Sequence, residues 1–228
     1  MSLWLVVVEG ATEMGGAGYI GVLEELLDRL FEDEDAELAG ALGCGEWEAV
    51  EAPELEFVHG ARLSQFVPNR VLRKPLPKGM AKLVARALHY GRSYDAVIFL
   101  VDNDHDDPRR SEVEGAFAAC HRPHAWGVAK EMVEAWLIAD ADLLSPVGFD
   151  TRGKRPEDLW GDPHNSQSGH PKRVFIRACS EARLSPPEAR ERWCLTRAAP
   201  NSPSLREFCV RVVDLLRDRS LCTPIAWD

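Results

Sequence analysis

The chain predicts an α/β fold, a mostly parallel sheet flanked by helices, followed by a helical C-terminal part. Two short runs, Leu3-Trp4-Leu5-Val6-Val7-Val8 and Ala96-Val97-Ile98-Phe99-Leu100-Val101, are apolar throughout and rich in Val and Ile. Strands buried on both faces, as in a parallel sheet, read this way. Segments of helical period alternate with these runs, the pattern of parallel strands joined by crossovers. From residue 172 onward the chain reads as two or three short helices, broken by Pro186-Pro187 and by Pro200 and Pro203.

The elements follow in order. After the first strand, Gly15-Gly16-Ala17-Gly18 forms a turn, and Ile20, Leu23, Leu26, Leu27 and Leu30 recur at helical spacing over residues 19–31. Residues 32–53 are acidic and rich in Gly and Ala, and read as a loop. Residues 54–59 make a short strand. Pro75 and Pro77 precede a helix over 78–90, then come the strand 96–101 and a helix over 110–120. Residues 125–129 are a fourth strand. A helix over 131–144 places Met132, Ala135, Trp136 and Ala139 on one face, and residues 146–171 are polar and loop-like. Within that last stretch, Asn165 to Gly169 reads either as a flap over a site or as a plain loop.

At 228 residues and 45% hydrophobic, the chain can bury a full core. The expected division is an α/β core over residues 1–145 and a helical extension over 146–228 packed on it. The apolar stretch at residues 3–8 is too short for a membrane span or signal peptide and has no basic flank, so a cytoplasmic protein without membrane contact is expected. Six cysteines are scattered without a Cys-x-x-Cys pair, which argues against a zinc site or a disulfide framework.

The net charge of −10 conceals a segregation of sign. Residues 24–56 are acidic, whereas residues 62–92 carry Arg62, Arg70, Arg73, Lys74, Lys78, Lys82, Arg86 and Arg92 and no acid. Such a block suits a phosphate-binding face, with Arg70, Arg73, Lys74, Lys78 and Lys82 as its candidates, or a solvated helix face that balances the acidic segment. Lys172, Arg173 and Arg177 form a second basic cluster, of which Arg173 is a further candidate for nucleic-acid contact.

Both strong strands end in acids: Glu9-Gly10-Ala11-Thr12-Glu13 and Asp102-Asn103-Asp104. Ligands bind at the carboxyl edge of an open parallel sheet, so these carboxylates can converge from distant points of the chain. Clustered carboxylates repel unless a cation holds them, and hard oxygen donors suit Mg²⁺ or Mn²⁺. Asp106 extends the set, and Glu131 with Glu134 opens the helix after the fourth strand, where stabilisation by the helix dipole is the plainer account. The Gly15 to Gly18 turn lacks the Lys-Ser/Thr ending of a P-loop and the dinucleotide glycine spacing, so it reads as a tight turn.

A strand ending in Glu-Gly followed by a strand ending in Asp-x-Asp resembles the TOPRIM domain of topoisomerases, primases and OLD-type nucleases. Val8-Glu9-Gly10-Ala11-Thr12-Glu13 is most similar to the OLD branch. The run Lys130-Glu131-Met132-Val133-Glu134-Ala135-Trp136-Leu137-Ile138-Ala139-Asp140, with the later Pro171-Lys172-Arg173, resembles the small stand-alone TOPRIM proteins grouped as domain of unknown function 4276. The resemblance implies a TOPRIM-like, Rossmann-like sheet. It implies that Glu9, Glu13, Asp102, Asp104 and Glu131 bind one or two divalent cations, and that Lys172 neutralises charge on a scissile phosphate. It also implies a place in prokaryotic anti-phage defence beside an ABC/AAA-type ATPase.

The expected function is therefore a Mg²⁺- or Mn²⁺-dependent phosphodiester hydrolase, a nuclease acting on DNA or RNA, with Glu9, Asp102, Asp104 and Lys172 as its catalytic residues. Tyr19, Tyr90 and Tyr94 have no context that suggests a topoisomerase nucleophile. Two alternatives stand beside it: a non-catalytic nucleic-acid or protein-interaction module with a structural cation, and a small-molecule phosphohydrolase. A homodimer is left open.

Overall fold

Four strands, β1 (Leu3–Val8), β2 (Glu54–His59), β3 (Ala96–Asp102) and β4 (His124–Ala129), form one sheet in the order β2-β1-β3-β4. The structure is a computed structural model that describes residues 2–9, 21–32, 36–47, 51–103, 107–130, 133–144 and 154–218. All three strand pairs are parallel, so every carboxyl end lies on one edge. In register, Val8 lies beside His59 on one side and Leu100 on the other, and Asp102 lies beside Ala129.

The helices are α1 (Val22–Glu32), α2 (Ala36–Leu42), α3 (Leu63–Phe66), α4 (Gly79–Tyr90), α5 (Asp107–Ala118), α6 (Val133–Ile138), α7 (Ala141–Leu144), α8 (Pro171–Ala182), α9 (Pro186–Glu191), α10 (Leu195–Ala198) and α11 (Pro203–Asp218). They cover both faces of the sheet. Side chains alternate along a strand, so Trp4, Val6, Val8, Ile98 and Leu100 join a core with α1, α2, α6 and the C-terminal helices. Leu5, Val7, Val97, Phe99 and Val101 join a second core with α4 and α5. The central strands are thus buried on both sides, and residues 4–8 and 96–101 are at most 2% exposed. This is why they read as continuous apolar runs.

The C-terminal helices complete the cover of one face. Gly127 of β4 allows α11 to sit close, because a β-carbon there would stand 2.6 Å from the Phe208 ring. Trp136 of α6 donates its indole N–H to Ser204 Oγ at 2.9 Å, tying the same helix to the core.

Three expectations are corrected. The acidic stretch read as a loop contains α2, which forms because Leu38, Ala39 and Leu42 fall on one buried face. The single helix expected over 131–144 is two, α6 and α7. The fully buried Asp140 interrupts it, its Oδ1 accepting from Asp142 N at 3.2 Å and Leu143 N at 3.4 Å as the cap of α7. Beyond residue 170, four α-helices are present among the described residues. Two of the prolines that were read as breaks open helices instead: Pro186 occupies the first turn of α9, and Pro203 is the first residue of α11, positions where a missing N–H costs nothing. A capping box between Ser185 and Glu188 fixes the start of α9.

No helix among the described residues is long and apolar enough to cross a membrane. Cys179 and Cys209 are buried free thiols in the core beneath α8 and α11. Burial pushes the Cys179 thiol up to about 11.

Candidate active site

At the carboxyl edge the strands bring together His59 at the end of β2, Glu9 beyond β1, Asp102 and Asn103 at the end of β3, and Lys130 beyond β4. Glu9 and Asp102 are 93 residues apart in sequence, yet Asp102 N donates to Glu9 Oε2 at 3.3 Å. The parallel pairing of β1 with β3 produces this meeting, since Glu9 and Asp102 both lie just past Val8 and Leu100, the last residues paired between the two strands.

Arg109, in the first turn of α5, completes the pair. Its Nη1 donates to Glu9 Oε2 at 3.0 Å and also to the carbonyl oxygen of Asp102. A guanidinium thus compensates charge at this edge from the helix that leaves β3. The sequence reading missed it. The available signal was position: Arg109 lies two residues into a helix that must begin at the carboxyl edge.

The Asp102 carboxylate also organises the next element. Its Oδ1 accepts from Val133 N at 3.1 Å, which satisfies one of the orphan N–H groups that open α6. Asn103 N continues the ladder to Ala129 O at 2.9 Å, while its side-chain Oδ1 is buried with no partner among the described residues.

Glu134, adjacent to Val133, is 7% exposed, and burial raises its carboxyl pKa while Lys172 and Arg190 pull it down. Lys172 itself is exposed on the first turn of α8, which packs against α6. The helix start held by Asp102 therefore lies within the electrostatic reach of Lys172. Glu13, Asp104, Asp106 and Glu131 lie outside the described residues. Among the described residues no group of three or more His, Cys, Asp and Glu side chains converges on a cation position.

Beside Asn103 opens a cleft of about 420 Å³, lined in part by Arg110, Lys130, Arg155, Ser204 and Glu207. Its charges are paired: Arg110 with Glu207 at 2.6 Å, and both Lys130 and Arg155 with Asp158 at 2.5 and 2.9 Å. Those two cations hold the Asp158 carboxyl below its usual range. Glu157, 3% exposed at the cleft wall, accepts from Ser204 N at 2.9 Å, Ser204 Oγ at 2.7 Å and Ser202 Oγ. This acid anchors the start of α11 and was not legible in sequence.

The basic candidates divide. Arg173 donates through Nε to Pro163 O, and Arg177 donates to Ser166 O at 2.7 Å and Ser168 O at 2.9 Å. These arginines lace residues 163–168 onto α8. Arg70, Arg73, Lys74 and Lys78 are exposed and Lys82 is half-buried, and none makes an ion pair among the described residues. The acidic α1 packs on the opposite face of the sheet from α4, and Glu25 there pairs with Arg29. The α1 part of the acidic segment therefore does not face the basic block, whereas Glu56 of β2 accepts from Tyr90 of α4.

Compared with family models, curated proteins and solved structures, the chain has no match.

Proposed function

We propose that the protein is a divalent-metal-dependent phosphodiester hydrolase acting on DNA or RNA, with a TOPRIM-like core. The observation that carries the reading is the meeting of Glu9 and Asp102 at the carboxyl edge of adjacent parallel strands, with Arg109 set against Glu9. Mg²⁺ is held by one or two carboxylates completed by water and substrate phosphate, so two hard-oxygen donors fit it. Glu9 suits this role because its Oε1 is engaged by no described residue, while Oε2 is held by Arg109 and by Asp102 N. Glu13, Asp104, Asp106 and Glu131 follow these ligands in the chain and extend the proposed set. A bound Mg²⁺ or Mn²⁺ supplies Lewis-acid polarisation of the phosphate and a more acidic water.

The chain's own residues do the rest. Arg109 orients Glu9 and offsets its charge, Asp102 fixes the start of α6 beside the site, and the proposal gives Lys172, whose charge reaches Glu134 in α6, the task of offsetting charge on the phosphate. From the resemblance to the stand-alone TOPRIM proteins the proposal also takes an ABC/AAA-type ATPase as partner; the chain itself carries no Walker motif.

One observation favours a second reading, an interaction module without catalysis. Arg109 already supplies positive charge to the edge, as a structural salt bridge would. Incubation of labelled DNA and RNA with Mn²⁺, alone and with a candidate ABC/AAA-type ATPase partner, separates the two. The hydrolase reading expects cleavage that EDTA stops and Glu9→Gln abolishes in a folded protein. No cleavage in any combination would favour the module.

A further inference from the structure

We propose that residues 63–78, laid along α4, bind single-stranded nucleic acid, with Phe66 stacking on a base and Arg70, Arg73, Lys74 and Lys78 following the phosphates toward the carboxyl edge. This rests on the hydrolase reading and names its substrate class.

The path of the chain makes the track. The segment leaves β2 at Gly60, where a β-carbon would stand 3.3 Å from Leu83 of α4 and 3.6 Å from Val8 O, one residue from Glu9. It then runs along α4 to the helix's far end, where the Phe66 ring lies 5.2 Å from that of Tyr90. Arg86 of α4 holds it there through Val67 O at 3.2 Å and Asn69 Oδ1 at 3.0 Å. It returns to the start of α4, where Lys78 is the N-cap residue. The strap thus follows a helix of 12 residues, about 18 Å long, and one end lies beside the candidate site.

Two independent properties of this strap point to one ligand. Its cations have no ion-pair partner among the described residues, although the chain carries a net charge of −10. Unpaired cations on an acidic protein complement a polyanion. The second property is apolar: Phe66 is 51%, Val71 42% and Leu76 39% exposed, all on this strap. Phe66 is backed by Tyr90, which in turn lies 6.0 Å from Tyr94, so the exposed ring is supported from beneath. A duplex keeps its bases stacked inside and would use only the cations. Unpaired bases use both, since a cationic groove with aromatic platforms is how single strands are held.

The test is fluorescence anisotropy with a fluorescein-labelled oligothymidylate and a labelled duplex, in EDTA and at several salt concentrations. The single strand is expected to bind more tightly than the duplex. Phe66→Ala should weaken the single strand about 5- to 160-fold with little change in salt dependence. The double variant Arg70→Ala, Arg73→Ala should lower the salt slope by roughly 1.4, for two lost contacts to a single strand. Both changes lie on exposed side chains, and an unchanged melting temperature checks the fold. Equal affinity for strand and duplex, no effect of Phe66→Ala, or binding to anionic phosphatidylserine vesicles in place of the oligonucleotide would overturn the proposal. Glu9-dependent cleavage without use of this strap would leave the hydrolase reading standing, whereas strand binding without cleavage would leave only the track.

Discussion

Asp102 combines two tasks that substitution can separate. Its Oδ1 accepts the backbone N–H of Val133 at 3.1 Å, and the proposed function makes its carboxylate a ligand of the cation beside Glu9. Asp102→Asn keeps an acceptor oxygen for Val133 and removes the charge. Asp102→Ala removes both and leaves a half-buried N–H at the start of α6 unsatisfied, which costs about 1–3 kcal/mol. In a chain of this size that lowers the melting temperature by roughly 2–12 °C. The Asn variant should stay within about 1 kcal/mol of wild type, or exceed it, because a metal-free carboxylate beside Glu9 is repelled. Thermal denaturation followed by circular dichroism in EDTA at neutral pH gives the stabilities, and Mn²⁺ titration calorimetry gives the binding. Both variants should lose Mn²⁺ affinity, and only Ala should lose stability. Equal destabilisation by Asn and Ala would refute the capping argument.

Asp140 is fully buried and accepts from Arg197 Nε at 2.8 Å and Nη2 at 2.9 Å and from Cys194 N at 2.8 Å. Arg197→Met should therefore cost about 3 kcal/mol, the low end for a broken buried pair because Arg197 is 43% exposed, and urea unfolding measures it. Asp140→Asn in the same background should restore part of the loss. Burial raises the Glu134 carboxyl pKa, so the folded state binds its proton more tightly than the unfolded chain does. Its contribution to stability is complete below the ordinary carboxylate value of 4.5 and is lost as pH rises through the folded value. Glu134→Gln should accordingly raise the melting temperature at pH 7 and lose that advantage on acidification. Parallel melting curves for the two proteins across that range would contradict this.

The four strands were legible because two-sided burial leaves no room for polar residues in β1 and β3, and β2 matched its expected bounds of residues 54–59. The meeting of Glu9 with Asp102 followed from topology alone, since parallel strands share a carboxyl edge. What escaped depended on partners far away in sequence. The break between α6 and α7 is set by Asp140, whose arginine lies 57 residues on. Glu157 is buried because Ser202 and Ser204, more than 40 residues later, take its oxygen. The helix α2 was hidden by the acids that flank it, although its buried face is plainly apolar. Arg109 was passed over because an arginine in a helix's first turn opposes the macrodipole and carries no local signature of its role. For Arg173 the basic cluster gave no sign of the Pro163 carbonyl that its Nε reaches, since a guanidinium near a polar loop satisfies carbonyls as readily as phosphates.

The most direct measurement of the central claim is titration calorimetry of Mn²⁺ into the wild-type protein and into Glu9→Gln, with melting temperatures recorded for both. The account predicts saturable binding to the wild type, a loss of at least about tenfold in affinity for Glu9→Gln, and a melting temperature that rises with Mn²⁺ only in the wild type. Binding that is absent from the wild type, or that survives Glu9→Gln unchanged, would contradict a metal centre at the carboxyl edge of β1 and β3.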